Sequence, residues 1–209
     1  CDELILNNIH KYIEMGDAAA NQLVLDTIKD YALRIDMAEN VYRSAYTLLD
    51  KLLGADIACQ KNPNIVFQYP LSNRFSELHT DAPANSPYEV VVWVPLVDCY
   101  DTKSFYLLDR QNTINMMTKY KTEGAFESWQ DFREKSIEMS ESLSIQFGAI
   151  LLFTSSLLHG SVINQTNEAR WSLNTRFKNL FAPCGLKDPF SFYRVFRTSP
   201  VTSLALELS

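Results

Sequence analysis

The segment Arg170–Phe181, RWSLNTRFKNLF, sorts its side chains into two sets. Trp171, Leu173, Thr175 and Phe177 share one parity, and Ser172, Asn174, Arg176 and Lys178 share the other. Successive side chains of a strand point to opposite faces, so this pattern predicts a β-strand with one mostly apolar face. Upstream, Tyr88–Val97 is an apolar, β-branched run too continuous for a strand exposed on one side. Ile65–Tyr69, Phe105–Leu108, Ser144–Phe147, Ala149–Phe153 and Leu157–Ile163 are further short candidates separated by turn residues. Most have no helix between them, which predicts a sandwich or jelly roll rather than a parallel α/β sheet.

Around this β region the texture is helical. Ile5, Ile9 and Ile13 recur at four-residue spacing before Gly16, a helix stop. Asp17 is the expected cap of a second helix with an apolar face through Val24, Ile28, Tyr31 and Ile35. A third runs from Met37 through Val41, Ala45, Leu48 or Leu49 and Leu52 to Gly54. These helices are expected to buttress the sheet, with His10 structural or exposed. Residues 111–142 are polar, with Gly124 followed by a helical stretch carrying Phe126, Trp129 and Phe132 or Arg133. An insertion of this length inside a β region is expected to act as a lid. The layout is therefore one domain over residues 1–209: a helical buttress (1–62), a barrel core (63–181) interrupted by 111–142, and a C-terminal extension (182–209).

Composition narrows the function. Hydrophobic residues make up 46% and charged residues 21%, ordinary values for a globular chain. The net charge is −6, from 19 basic and 25 acidic side chains, with no Lys/Arg run. Such a chain lacks the electrostatic footprint for nucleic acid or an anionic membrane. Its longest apolar runs fall far below the roughly 18 residues that span a bilayer. The four cysteines are far apart and form no C-x-x-C pair, which argues against a zinc ribbon, a redox dithiol or a disulfide scaffold. A reducing cytoplasm is the expected setting. The first residue is Cys rather than Met, so the natural N-terminus is expected to lie upstream.

Only three histidines are present, His10, His79 and His159, so any imidazole chemistry must draw on them. His79-Thr80-Asp81 places an imidazole and a carboxylate on one side of an extended segment, both able to reach one ion. Alone this tripeptide is weak, because Asp81 also suits a turn before Pro83. His159 follows the apolar run Leu157-Leu158, and Gly160 permits close approach of another group. Two His and one carboxylate from separated strands make the facial triad of non-haem Fe(II) oxygenases, which leaves coordination positions open. Eleven residues after His159 comes Arg170, with Ser172 on the same strand face. A planar guanidinium beside a hydroxyl suits bidentate capture of a carboxylate.

The ordered set His79-x-Asp81, His159, Arg170-x-Ser172 resembles the 2-oxoglutarate- and Fe(II)-dependent dioxygenases, in their phytanoyl-CoA-hydroxylase-like branch. The resemblance covers about residues 63–181. It implies a mainly β fold with flanking helices, a double-stranded β-helix or jelly-roll, cupin-like barrel preceded by the N-terminal helical segment. It further implies that His79, Asp81 and His159 bind Fe(II), that Arg170 and Ser172 hold the distal carboxylate of 2-oxoglutarate, and that Trp93 lines the cosubstrate pocket or packs in the core. The implied activity consumes O2, converts 2-oxoglutarate to succinate and CO2, and hydroxylates a small polar metabolite. Gln68, Asn73 and Arg74 lie near the H-x-D segment and are candidate substrate contacts, Arg74 foremost. Arg176, of the same parity, competes with Arg170 for the cosubstrate. The chain departs from many relatives in carrying Cys99–Ser104 and Leu108-Asp109-Arg110 where they have a Gly-rich stretch, a variation that resembles oxygenases of carbohydrate-biosynthesis clusters. The alternative is a non-oxidative cupin-like metal-dependent isomerase or binding protein, though such sites are usually richer in histidine. A halogenase would leave the carboxylate position empty, and Asp81 fills it. Ser155-Ser156 lacks the elbow of a serine hydrolase.

Overall fold

A computed structural model describes residues 3–13, 18–122 and 124–209. The elements in chain order are α1 (Glu3–Ile13), α2 (Ala18–Arg34), α3 (Met37–Leu53), β1 (Ile57–Gln60), β2 (Asn64–Gln68), β3 (Glu89–Pro95), β4 (Tyr106–Leu107), α4 (Arg110–Tyr120) and α5 (Trp129–Glu138). They continue with β5 (Glu141–Ser142), β6 (Leu151–Thr154), β7 (His159–Gly160), β8 (Arg170–Asn179), α6 (Pro189–Phe192), β9 (Tyr193–Arg197) and α7 (Pro200–Leu208). No helix among the described residues is long and apolar enough to cross a membrane.

The alternating segment at 170–181 becomes β8, the longest strand and the axis of the larger sheet. One edge of β8 pairs antiparallel with β3, from Glu89 opposite Lys178 to Pro95 opposite Ser172. The other edge is shared end to end by β2, with Gln68 opposite Arg170, and β1, with Ile57 opposite Asn179. Beyond these, β6 extends the sheet from β3, and β9 extends it from β1. A smaller sheet, ordered β5-β4-β7, faces it. Antiparallel sheets with flanking helices make this a mainly β, cupin-like architecture.

The parity of β8 separates two environments. Trp171, Leu173 and Phe177 join the apolar layer formed with α3, whose Val41, Ala45 and Leu49 are buried. There Trp171 stacks on Phe67 at 5.5 Å, and Phe177 lies 5.9 Å from Tyr42 and 5.6 Å from Phe196. Arg170, Ser172, Asn174 and Arg176 point the other way, into the space between the sheets. α1 is tied down by a buried ammonium: Lys103 Nζ donates to Asn7 Oδ1 at 2.5 Å and to Glu168 Oε2 at 2.7 Å.

The helical stripes differ in detail from the expectation. Ile5 is exposed while Leu6 is buried; on α2 Leu25 and Ala32 are buried whereas Tyr31 is exposed, as is Ile35 just past the helix end. A period near 3.6 fits two neighbouring stripes almost equally well, and packing selects between them. On α3 the stripe ends on Leu53 rather than Leu52, with Asp36 capping the start and Gly54, at φ 79°, closing the end. Gly16 and Asp17, the expected stop and cap, lie outside the described residues. Ile57–Gln60, inside the expected helical buttress, is instead strand β1, buried at every position between β8 and β9. The C-terminal extension likewise contributes strand β9 and helix α7. Ser144–Phe147 forms only an isolated bridge, Ile145 to Cys99, and Leu157–Ile163 reduces to the two-residue β7.

Phe177 is fully buried between Tyr42 and Phe196. Phe177→Ala is expected to cost about 3–5 kcal/mol of stability, read from urea denaturation.

Candidate active site

The two imidazoles are brought together by the backbone. His79 and His159 exchange N–H···O=C hydrogen bonds of 2.9 Å in both directions, so their rings emerge side by side with centroids 4.2 Å apart. Each Nδ1 faces a carbonyl two residues upstream: His79 that of Glu77 at 2.7 Å, and His159 that of Leu157 at 2.8 Å. A carbonyl can only accept, so both protons sit on Nδ1 and both Nε2 lone pairs are free. Asp81 is anchored by its own N–H, which donates to the Ser155 carbonyl at 2.9 Å. Its Oδ1 stands 3.8 Å from His79 Nε2. One ligand atom from each of His79, Asp81 and His159 lies within 4.8 Å of the others, so the structure gathers the set named from sequence.

Gly160 makes this convergence sterically feasible. A Cβ at that position would lie 2.5 Å from Tyr106 Oη and 3.0 Å from the Ser76 carbonyl. The close approach expected at Gly160 is that of the Tyr106 ring. The imidazole of His159 is pushed down to about 4, first by burial and next by the neighbouring His79. It is therefore neutral and ready to act as a ligand at ordinary pH.

A cavity of about 290 Å³ opens over this cluster. Trp93, Phe105 and Phe153 supply apolar wall, while Arg170, Ser172 and Lys187 supply polar groups. Arg170 is only 4% exposed. Its Nη1 donates to the Ser104 carbonyl at 2.6 Å, while its Nε has no partner. No carboxylate pairs with it among the described residues, and the Ser172 hydroxyl is also unpartnered. Burial disfavours the charge on Arg170. Arg176 is differently placed: its Nη2 lies 2.8 Å from Asp81 Oδ2, its Nε 3.3 Å from Glu89 Oε1, and its Nη1 donates to Gln60 Oε1 at 3.0 Å and Asn174 Oδ1 at 3.1 Å.

Other candidates fall away from the cavity lining. Gln68 is buried opposite Arg170, but its Nε2 donates to the Val162 carbonyl at 2.6 Å, a tie between strand and loop. Arg74 is exposed on the loop before His79 and does not line the cavity; Asn73 is exposed on the same loop. His10 is half-buried on α1 with its ring 6.3 Å from Tyr69. Nor does any described residue of 111–142 line the cavity. Met116 of α4 and Phe132 of α5 pack instead against Leu78, Tyr106, Leu108 and Leu158, on the face of the small sheet turned away from Phe105. The expected lid is corrected to a backing layer, because these apolar groups are needed to bury the outer face of very short strands.

Sequence reasoning missed Lys187, which reaches the cavity from a C-terminal loop held by Leu186 N–H to Pro83 O and Lys187 N–H to Ala84 O. It also missed Glu89 and Tyr193 behind Asp81. Parity alone pointed to Arg176, but nothing local marked its partners.

Neither a protein-family model nor a curated protein matches the chain. Among solved structures it is similar to the non-haem α-ketoglutarate-dependent epimerase SnoN from nogalamycin biosynthesis, with 18% identity and a TM-score of 0.50 over 79% of this chain and 61% of that one. It is also similar to the non-haem monooxygenase ThoJ in its nickel complex (18% identity, TM-score 0.46, 76% of this chain and 64% of that one). A further similar structure is HygX from Streptomyces hygroscopicus with nickel and 2-oxoglutarate bound (12% identity, TM-score 0.48, 65% and 63%). The chain thus spans under two thirds of the length of each. The likeness to SnoN is one of fold.

Because unfolded His159 takes up a proton near 6.5 and folded His159 only near 4, the metal-free protein should lose stability as pH falls through that window. Urea midpoints in chelator should decline below pH 6.5. His159→Leu should flatten the upper part of the decline, above the range where carboxylates ordinarily titrate.

Proposed function

We propose that the protein is an Fe(II)- and 2-oxoglutarate-dependent oxygenase that hydroxylates a small polar metabolite. The observation that carries this reading is Arg170: a buried guanidinium with a free Nε, no carboxylate partner among the described residues and an unpartnered hydroxyl beside it, all facing one cavity with a His-Asp-His cluster. A buried cation without an anion is costly, so the site calls for a carboxylate from outside the chain. The fold shared with SnoN, an α-ketoglutarate-dependent epimerase, supports that choice.

In this reading His79 and His159 would hold Fe(II) through Nε2 and Asp81 through Oδ1, a set of nitrogen and oxygen donors suited to that ion. Iron with 2-oxoglutarate and O2 supplies the oxidising power, yielding succinate and CO2 as the substrate C–H bond is hydroxylated. The chain's own contribution is positional. Arg170 and Ser172 grip the distal carboxylate and so fix where the keto end lies relative to the histidines. Trp93, Phe105 and Phe153 exclude water around it. The Nδ1–H donors to Glu77 and Leu157 keep both rings from turning. The order of His79, Asp81, His159, Arg170 and Ser172 supports the phytanoyl-CoA-hydroxylase-like branch and its double-stranded β-helix. The cavity's asparagines, serines and Lys187 support a polar substrate, of the kind a carbohydrate-related intermediate would be. A non-oxidative cupin would have to bring a carboxylate substrate of its own to satisfy Arg170.

Arg170→Ala should weaken 2-oxoglutarate binding by roughly two to four orders of magnitude, since losing one partner of a buried ion pair costs about 3–5 kcal/mol. Calorimetric titration with Ni(II) present checks this, and metal stoichiometry should be unchanged. Retained 2-oxoglutarate affinity in Arg170→Ala would overturn the cosubstrate assignment.

His79→Ala and His159→Ala should each lose iron occupancy while keeping the wild-type circular dichroism spectrum. The wild-type protein should form succinate slowly from 2-oxoglutarate and Fe(II) without added substrate.

A further inference from the structure

Behind Asp81, on the side away from the histidines, buried polar groups from several strands converge. Asp81 Oδ2 accepts from Arg176 Nη2 at 2.8 Å and from Nε at 3.3 Å, so only Oδ1 remains turned toward His79. Arg176 is gripped in turn by Gln60 of β1 and by Glu89 of β3. Glu89 is 1% exposed, and both its oxygens are occupied. Oε1 accepts from Asn85 Nδ2 at 2.9 Å, and Oε2 accepts from the Tyr193 hydroxyl of β9 at 2.6 Å.

Two carboxylates therefore share one guanidinium in the interior. A network of this kind is not the cheapest way to fill a core, because apolar residues of similar volume avoid the desolvation of three charges. Its geometry has a specific consequence. Asp81 sits in a bend after His79, and a carboxylate free to rotate can bind an ion through one oxygen or both. Arg176 occupies Oδ2 and prevents that rotation, but a guanidinium can do so only if it is itself held at its far side.

We infer that Glu89 and Tyr193 are positioning residues that act through Arg176 to keep Asp81 a one-oxygen ligand, which leaves the positions opposite the triad open to exchangeable ligands. The inference rests on the metal reading above. Outer partners of metal ligands typically change affinity by about 10–100-fold when removed.

Co(II) is the probe, because its visible absorption reports coordination number and its affinity is measurable by titration. Glu89→Gln and Tyr193→Phe should each shift the visible bands of bound Co(II) toward a higher coordination number and change its affinity by about 10–100-fold. Tyr193→Phe removes only the hydroxyl, with its bond to Glu89 Oε2 and the one it accepts from the Ser86 N–H, and keeps the arm available if Glu89→Gln fails to fold. In an Asp81→Ala background, Tyr193→Phe should have no further effect on Co(II) affinity, since the path runs through Asp81. A Tyr193→Phe protein with lowered urea midpoint but wild-type Co(II) affinity and spectrum would show a purely structural network and overturn the inference. An equal change of affinity with and without Asp81 would overturn it as well. Wild-type protein that binds no Co(II) would overturn the metal reading itself, an outcome distinct from the other two.

Discussion

Strand β8 meets a dry apolar layer on one face and a charged cavity on the other, and its ladder keeps the two apart. Backbone pairing to β3 on one edge and to β2 and β1 on the other holds its register over its whole length. A slip of one residue would drive Arg170 and Arg176 into the layer that Trp171, Leu173 and Phe177 occupy against α3. The helices are therefore part of the site although none of them lines the cavity. By burying the odd-numbered face, they aim the even-numbered one.

That aim gives two arginines on one strand opposite electrostatic states. Arg176 lies between Asp81 and Glu89 with every direction of its guanidinium engaged. Arg170, six residues earlier and equally deep, has a carbonyl oxygen and an idle hydroxyl for company. Residue type and parity are the same at the two positions. Charge neutralisation separates them, and it makes the lonely guanidinium the more informative about a ligand.

The second sheet solves a different problem. Its strands are two residues each, too short to hold together by ladder hydrogen bonds alone. The reciprocal bridge between His79 and His159 extends it by one step, and α4 and α5 supply apolar backing through Met116 and Phe132. This accounts for the placement of the polar stretch 111–142. Its few large apolar side chains are spent on stabilising the sheet that carries His159, which leaves them unavailable to cover the cavity.

Local periodicity was enough to show that residues 170–179 alternate, that Arg170 and Ser172 share a face, and that the run Tyr88–Val97 holds a strand buried on both sides, which the structure confines to Glu89–Pro95. These are properties of the chain within a few residues of itself, where backbone geometry alone decides which way a side chain points. The same rule could not choose between Ile5 and Leu6 or between Leu52 and Leu53, because adjacent stripes on a helix satisfy one spacing. Nor could it find β1, a four-residue strand whose burial comes entirely from β8 and β9 on either side. The partner of Arg176 lies 95 residues away in Asp81, that of Gln68 lies 94 residues away at Val162, and Tyr193 reaches Glu89 across 104. Such pairings depend on strand register and on the path of intervening loops, which no local pattern encodes. The sequence by itself determined the strand, its two faces and the residue types offered to the cavity. Only the tertiary structure decided which of those charges are neutralised within the chain and which await a ligand, because neutralisation is set by distances between segments that the sequence keeps far apart.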